Sequence, residues 1–293
     1  MKSEKIKGIK FKDLGNPAFT IETPPQHIKL HTLLLAVAKK QSGKTFFITN
    51  LMRMLNFDIV IVVSNTFDSN KKMIEALKVE VVLDPDDPEV IQKIYDFINN
   101  ERDELLMYQE KLKQYKEFEK MLNNPSLMIP DEMLEEFYNG NNFEPPKHRF
   151  NGRKPSIGIF IDDGQNSKIM GGKLSNLCIK HRHLGSFADG SRPLGCSLFI
   201  AVQNYVSSNN GLPKAIRGNV SHLAVWKTGN KKELELLAKE QSGNVDEETF
   251  YKVYDFIFDK NSNKHTFMFI DLAPKEGHST FRKNYDEMIT AYK

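Results

Sequence analysis

Residues 38–45, Ala-Lys-Lys-Gln-Ser-Gly-Lys-Thr, have the types and order needed to hold a phosphate chain. They match G-x-x-x-x-G-K-[ST] at every defined position except the first, where alanine replaces glycine. Such a loop turns backbone N–H groups and a helix N-terminus toward the phosphates; its lysine reaches the β and γ oxygens and its terminal hydroxyl ligates magnesium. Lys44 and Thr45 are the candidates for those two tasks, with Lys39, Lys40, Gln41, Ser42 and Gly43 forming the cradle. Ala38 is harmless if its φ is negative and strains the loop if it is positive.

Two further stretches end in groups that could work beside that loop. Residues 157–164, IGIFIDDG, read as an apolar strand closed by two carboxylates. Successive strand residues face opposite sides, so Asp162 is expected to approach the magnesium while Asp163 accepts the proton of the attacking water. The bland alternative is a strand followed by a DDG turn, which the phosphate loop upstream makes the weaker reading. Residues 196–204, CSLFIAVQN, read as another buried strand with Gln203 at its end. A carboxamide there could sense a γ-phosphate or simply cap a strand, and position alone favours neither.

A phosphate loop must run from a buried strand into a helix. The run HTLLLAVA at 31–38 supplies the strand, and KTFFITNLMRML, apolar at helical spacing, supplies the helix. Strands are expected at 57–64, 79–83, 156–161, 197–202, 221–226 and 265–271, and helices at 70–77, 131–138, 173–181, 231–240 and 246–258. Strands alternating with helices imply a mostly parallel sheet covered on both faces. Between them a charged helical arm is inserted at about residues 88–140. Its Leu105, Tyr108, Leu112, Tyr115, Phe118 and Leu122 share one helix face, which reads first as a packing stripe and second as a partner contact.

The chain has 293 residues, 40% hydrophobic and 27% charged, enough for one large core. A basic extension at 1–27 precedes a single domain at 28–293. No apolar run reaches the roughly 18 to 20 residues of a membrane span, and the N-terminus lacks the pattern of a signal peptide. Two cysteines, Cys178 and Cys196, are too few for a disulfide framework and fit a reducing compartment. Cys178, His181 and His183 fall short of the four ligands of a structural zinc site. Asp131, Glu132, Glu135 and Glu136 read as the solvated face of a helix. Net charge is +3, and two basic runs stand out: Lys2, Lys5, Lys7, Lys10 and Lys12, and Lys147, His148, Arg149, Arg153 and Lys154. Either could touch a polyanion, although such runs are more often solvated.

Taken with KHRHLG at 180–185, Gln203-Asn204 and LPKAIRGN at 212–219, these motifs make residues 28–226 similar to the FtsK/HerA superfamily of ring-forming DNA translocases. The resemblance is greatest to the genome-packaging ATPases of poxviruses, giant viruses and related icosahedral DNA viruses. It implies a P-loop NTPase fold of the ASCE, RecA-like kind, a three-layer sandwich. It also implies ATP and Mg2+ as cofactors, a sensor role for Gln203, and an arginine finger, Arg182 or Arg217, supplied by the neighbouring subunit. Two departures stand out: Asp163 replaces the glutamate usual in cellular members, and the longer SFADGSRPLG segment adds Arg192 as a third finger candidate.

The implied partners are double-stranded DNA, a homo-oligomeric ring of five or six subunits, and capsid or portal-vertex proteins, with no membrane. The implied location is the host cytoplasm, a viral factory or the virion. The expected function is ATP-driven packaging of a viral genome into a preformed capsid. The alternatives are a cellular or plasmid translocase, a small-molecule kinase built on the same loop, and a nucleotide-dependent scaffold. A kinase lid usually carries several arginines, whereas the arm has one, Arg102.

Overall fold

The computed structural model describes residues 21–68, 75–124, 126–138, 144–162, 167, 169, 172–206, 211–242 and 245–290. Its centre is a nine-stranded sheet in the order β3-β2-β4-β5-β1-β6-β7-β8-β9. Strands β1 (Leu33–Val37), β2 (Ile59–Ser64), β3 (Val79–Leu83), β4 (Ile157–Asp162), β5 (Ser197–Val202) and β6 (His222–Trp226) run parallel. Every residue of β1, β2, β4, β5 and β6 is buried, which is why these strands read as continuous apolar runs rather than alternating ones.

Alternate residues of each strand feed two cores. Leu34 and Ala36 of β1, Phe160 of β4 and Phe199 of β5 face α1 (Lys44–Leu55), which contributes Phe47, Ile48, Leu51 and Met52. Leu33, Leu35, Ile159 and Ile200 face the opposite layer. That layer comprises the base of α2 (Val90–Leu122), α4 (Gly172–Lys180), the short α5 (Lys214–Arg217), α6 (Lys231–Gln241) and α7 (Glu247–Ile257). Two helical layers around one sheet make the expected three-layer sandwich. β5 lies between β1 and β4, the arrangement of an ASCE P-loop fold.

The arm enters between β3 and β4 as expected. It consists of α2, which is 33 residues long, and α3 (Asp131–Tyr138). Leu105 and Phe118 are buried, Tyr108, Leu112 and Tyr115 half-buried, and Leu122 exposed, so the stripe packs for most of its length. Of the helix expected at 70–77, residues 70–74 lie outside the described residues and Glu75–Leu77 forms one 3-10 turn.

Sequence periodicity predicts no strand after residue 271, yet the sheet continues. β7 (Phe267–Asp271) pairs antiparallel with β6, then β8 (Phe281–Lys283) and β9 (Glu287–Ile289) follow. Three-residue strands containing Arg282, Lys283 and Glu287 carry too little alternation to be read. The described part of the N-terminal extension packs against this region, where Lys275 Nζ donates to the carbonyls of Thr23 and Pro24. Lys2, Lys5, Lys7, Lys10 and Lys12 lie outside the described residues.

Candidate nucleotide site

The loop after β1 is shaped by two left-handed residues, Gln41 (φ 61°) and Gly43 (φ 99°). Gly43 leads into α1, and its carbonyl accepts the N–H of Phe47 at 2.9 Å. No side chain caps this helix and no acidic residue stands in its first turn, so the positive end of its dipole meets the loop without an internal counter-charge. Ala38 is not among the positive-φ residues and is 6% exposed, so its methyl group is accommodated without backbone strain. Lys44 is buried. Its Nζ donates to the carbonyls of Ala38 at 2.6 Å and Lys39 at 3.2 Å, folding the cation across the mouth of the loop.

Thr45 Oγ1 donates to Asp162 Oδ2 at 3.1 Å, across 117 positions of sequence. Asp162 is the last residue of β4 and is 3% exposed. A hydroxyl and a carboxylate are hard oxygen donors, and two protein ligands leave the remaining octahedral positions to water and phosphate, as Mg2+ prefers. The residues present therefore fit a magnesium ion. Asp163, the expected base, lies outside the described residues.

β5 brings Gln203 to the same edge. The carbonyl of Val202 accepts the N–H of Ala38 at 3.1 Å, joining the strand end to the start of the loop. Beyond it opens a cleft of about 360 Å³ lined by Ala38, Lys39, Gln203, Thr228 and Glu233. Sequence reasoning passed over Glu233. It is 6% exposed and accepts the N–H of Tyr205 at 2.6 Å and the Thr228 hydroxyl at 2.8 Å, fixing the chain just after Gln203. The available signal was Asn230 three residues ahead of Glu233, a helix-start pattern that the structure shows as a cap on α6.

The finger candidates sit in different settings. Arg217 is bound within its own chain: Nε and Nη2 reach both carboxylate oxygens of Glu240 at 2.9 and 3.1 Å, Nη1 reaches the Leu212 carbonyl, and the guanidinium lies over Tyr205. Arg182 is half-buried in a 3-10 turn (His181–His183) and makes no ion pair among the described residues. The carbonyl of His181 accepts the N–H of Cys196, just before β5, so this turn lies at the amino edge of the sheet, opposite the phosphate loop. Arg192 has a buried Nη1 without a partner, and desolvation lowers its pKa.

Cys178 and His181 are core groups. Burial pushes the Cys178 thiol up to about 12, and His181 bonds to the carbonyls of Cys178 and His31. The second basic run is also spent internally. Arg149 pairs with Glu80 and Glu101, tying the arm to β3, and Arg153 takes both oxygens of Asp58 at 2.7 Å. Lys154 donates to Ser191 and the Arg192 carbonyl and stands over the Phe187 ring; Lys147 pairs with Glu144.

Loop, strand order and the Thr45–Asp162 contact define a P-loop fold with the groups needed to hold a nucleoside triphosphate and a magnesium ion. No family model and no curated protein matches the chain. Among solved structures it is similar to the genome packaging NTPase B204 from Sulfolobus turreted icosahedral virus 2 in complex with AMP. That match has 12% identity and a TM-score of 0.46, covering 88% of this chain and 98% of that one. The ATP-gammaS complex of the same protein gives 12% identity and a TM-score of 0.45, over 89% and 98% of the two chains. The pCW3 conjugation coupling protein TcpA, in its monomer form with ATPgS, gives 18% identity and a TM-score of 0.41, over 84% of this chain and 60% of that one.

Proposed function

We propose that this chain is an ATP-hydrolysing motor that moves double-stranded DNA, and that its task is to package a viral genome into a preformed capsid. The nucleotide half of this reading is carried by one observation, the 3.1 Å hydrogen bond between Thr45 and Asp162. It joins the phosphate loop to the acidic strand where a metal-bound triphosphate needs both. The DNA half rests on the sequence resemblance, through KHRHLG, Gln203-Asn204 and LPKAIRGN.

In this reading Lys44 leaves the carbonyls of Ala38 and Lys39 to neutralise the β and γ oxygens, and the uncapped N–H groups of α1 hold the remaining phosphate oxygens. Thr45 and Asp162 would hold the magnesium ion, which would supply charge neutralisation at the terminal phosphates. Asp163 takes the proton of the attacking water, and Gln203 registers whether the γ-phosphate is present. Arg182 completes the site of the neighbouring subunit in a ring. Its place at the amino edge removes it from its own phosphate loop, and Arg217 is already committed to Glu240. Hydrolysis in one subunit then depends on the position of the next, which couples chemistry to movement against the DNA backbone. The capsid or portal vertex would be the docking partner.

Displacement of the third strand from a triplex on linear duplex DNA tests the reading. An ATP-dependent motor strips the third strand as it advances, and Lys44→Ala does not. Turnover that phosphorylates a nucleoside and ignores DNA would favour the kinase instead.

A further inference from the structure

Beside the phosphate loop, between the outer face of α1, the start of β7 and the turn joining β8 to β9, lies a cleft of about 690 Å³. It shares Ser42 and Gly43 with the loop, so it is continuous with the place where the phosphates are proposed to lie. Its floor is aromatic: Phe47 packs at 4.5 Å from Phe267, and Phe267 at 4.6 Å from Trp226. At its rim stands Phe46, the residue after Thr45, which is 64% exposed. A large aromatic side chain is costly to leave in water on the first turn of a helix and is easily repaid by a stacked partner.

The direction of the ligand follows from the chemistry at its other end. Thr45 and Asp162 are the groups that would hold a magnesium ion beside the terminal phosphates, and Asp162 ends β4. The nucleoside must then leave the loop on the opposite side, toward β6 and β7, which is where this cleft opens. Trp226 borders this cleft and two others that line the loop, and its indole N–H is buried without a partner. Several polar groups of the cleft are already engaged. Asn50 donates to the Phe46 carbonyl, Asn284 accepts the Phe267 N–H, and His265 Nδ1 bonds to the Ser42 carbonyl. What the cleft mainly offers is aromatic faces.

From this we infer that the cleft is the nucleobase site, and that the base is held by stacking on Phe46 above the Phe47–Trp226–Phe267 floor. The inference rests on the phosphate-loop reading and is tested so that the two fail separately. Calorimetry on the full chain with magnesium present compares ATP with inorganic tripolyphosphate, which offers the phosphates without a base. Wild type should bind ATP at least about 10-fold more tightly than tripolyphosphate. Phe46→Ala should remove most of that difference, weakening ATP roughly 10-fold or more and leaving tripolyphosphate unchanged. Because Phe46 is exposed, the variant keeps the core intact. Equal affinity of wild type for the two ligands, or an unchanged ATP affinity in Phe46→Ala, would overturn the base site and leave the phosphate loop standing. No binding of either ligand to wild type would overturn both.

Discussion

Lys44 illustrates how a buried charge is kept ready. It is 7% exposed, and a buried ammonium is tolerated only when its donors are satisfied. Here loop carbonyls satisfy them, at the spot where phosphate oxygens would replace them. Lys44→Ala should therefore leave the fold intact and abolish ATP turnover, as measured by phosphate release; unchanged turnover with normal ATP affinity would remove the loop from the account. The two carboxylates should separate by phenotype. Asp163→Asn should leave ATP binding nearly intact and slow hydrolysis by roughly 10² to 10⁴, the usual worth of a positioned base. Asp162→Asn should instead raise the magnesium concentration needed for tight nucleotide binding. If the two phenotypes appeared the other way round, the roles would have to be exchanged.

Elements hold these residues in register. Carboxyl ends of β1, β4 and β5 reach one edge because the strands pair in parallel, and at the other edge the amino ends of β2 and β4 are clipped together. Asp58, just ahead of β2, accepts from both Arg153 guanidinium nitrogens and from the N–H and hydroxyl of Ser156, just ahead of β4. The Arg153 contact, with Ser156 assisting and partial burial opposing, holds the Asp58 carboxyl at about 2. A depressed carboxylate contributes stability that is fully present above its unfolded value near 4 and is lost as pH falls through the folded value. The melting temperature should thus fall as pH drops from about 4 to about 2. Asp58→Asn should melt lower at pH 7 and show a shallower fall across that window; an identical profile would mean that the clip adds nothing to stability.

Which elements could be read from the sequence follows from the same packing. The strands buried on both faces announce themselves as apolar runs, and the phosphate loop is legible because a strand and an amphipathic helix flank it. The pairing of Thr45 with Asp162 could be anticipated only from the order of motifs, since no local pattern encodes a contact over 117 positions. Glu233 lies inside an ordinary helix-start pattern that gives no sign of its contacts with Tyr205 and Thr228, and β8 and β9 are stabilised by their neighbours rather than by any periodicity of their own. The pairing of Arg149 and Arg153 with Glu80, Glu101 and Asp58 was equally invisible, because the acidic partners come from β3, α2 and the turn before β2.

At the scale of the whole molecule, a finger acting in trans requires more than one copy of the chain. Arg182 lies at the edge of the sheet opposite its own phosphate loop, so a finger role needs a neighbour. Arg182→Ala should lower turnover by about 10³ to 10⁵ without weakening ATP binding. Mixing it with Lys44→Ala should restore part of the activity, because some interfaces then unite a sound loop with a sound finger. Arg217→Ala, by contrast, should lower thermal stability through loss of the Glu240 pair and gain nothing on mixing. Absence of complementation by Arg182→Ala, together with loss of its own ATP binding, would argue against a trans finger there.

ATP hydrolysis in this chain is proposed to serve movement along duplex DNA. The measurement that meets it most directly is the steady-state ATPase rate of the full chain with magnesium, with and without long double-stranded DNA, over a range of salt concentrations. A motor on duplex DNA should show a DNA-stimulated rate that is independent of sequence, falls as salt rises because the grip is on phosphates, and is absent in Lys44→Ala. A rate that Lys44→Ala abolishes but DNA leaves unchanged at every salt concentration would contradict it, keeping the nucleotide site and removing the motor.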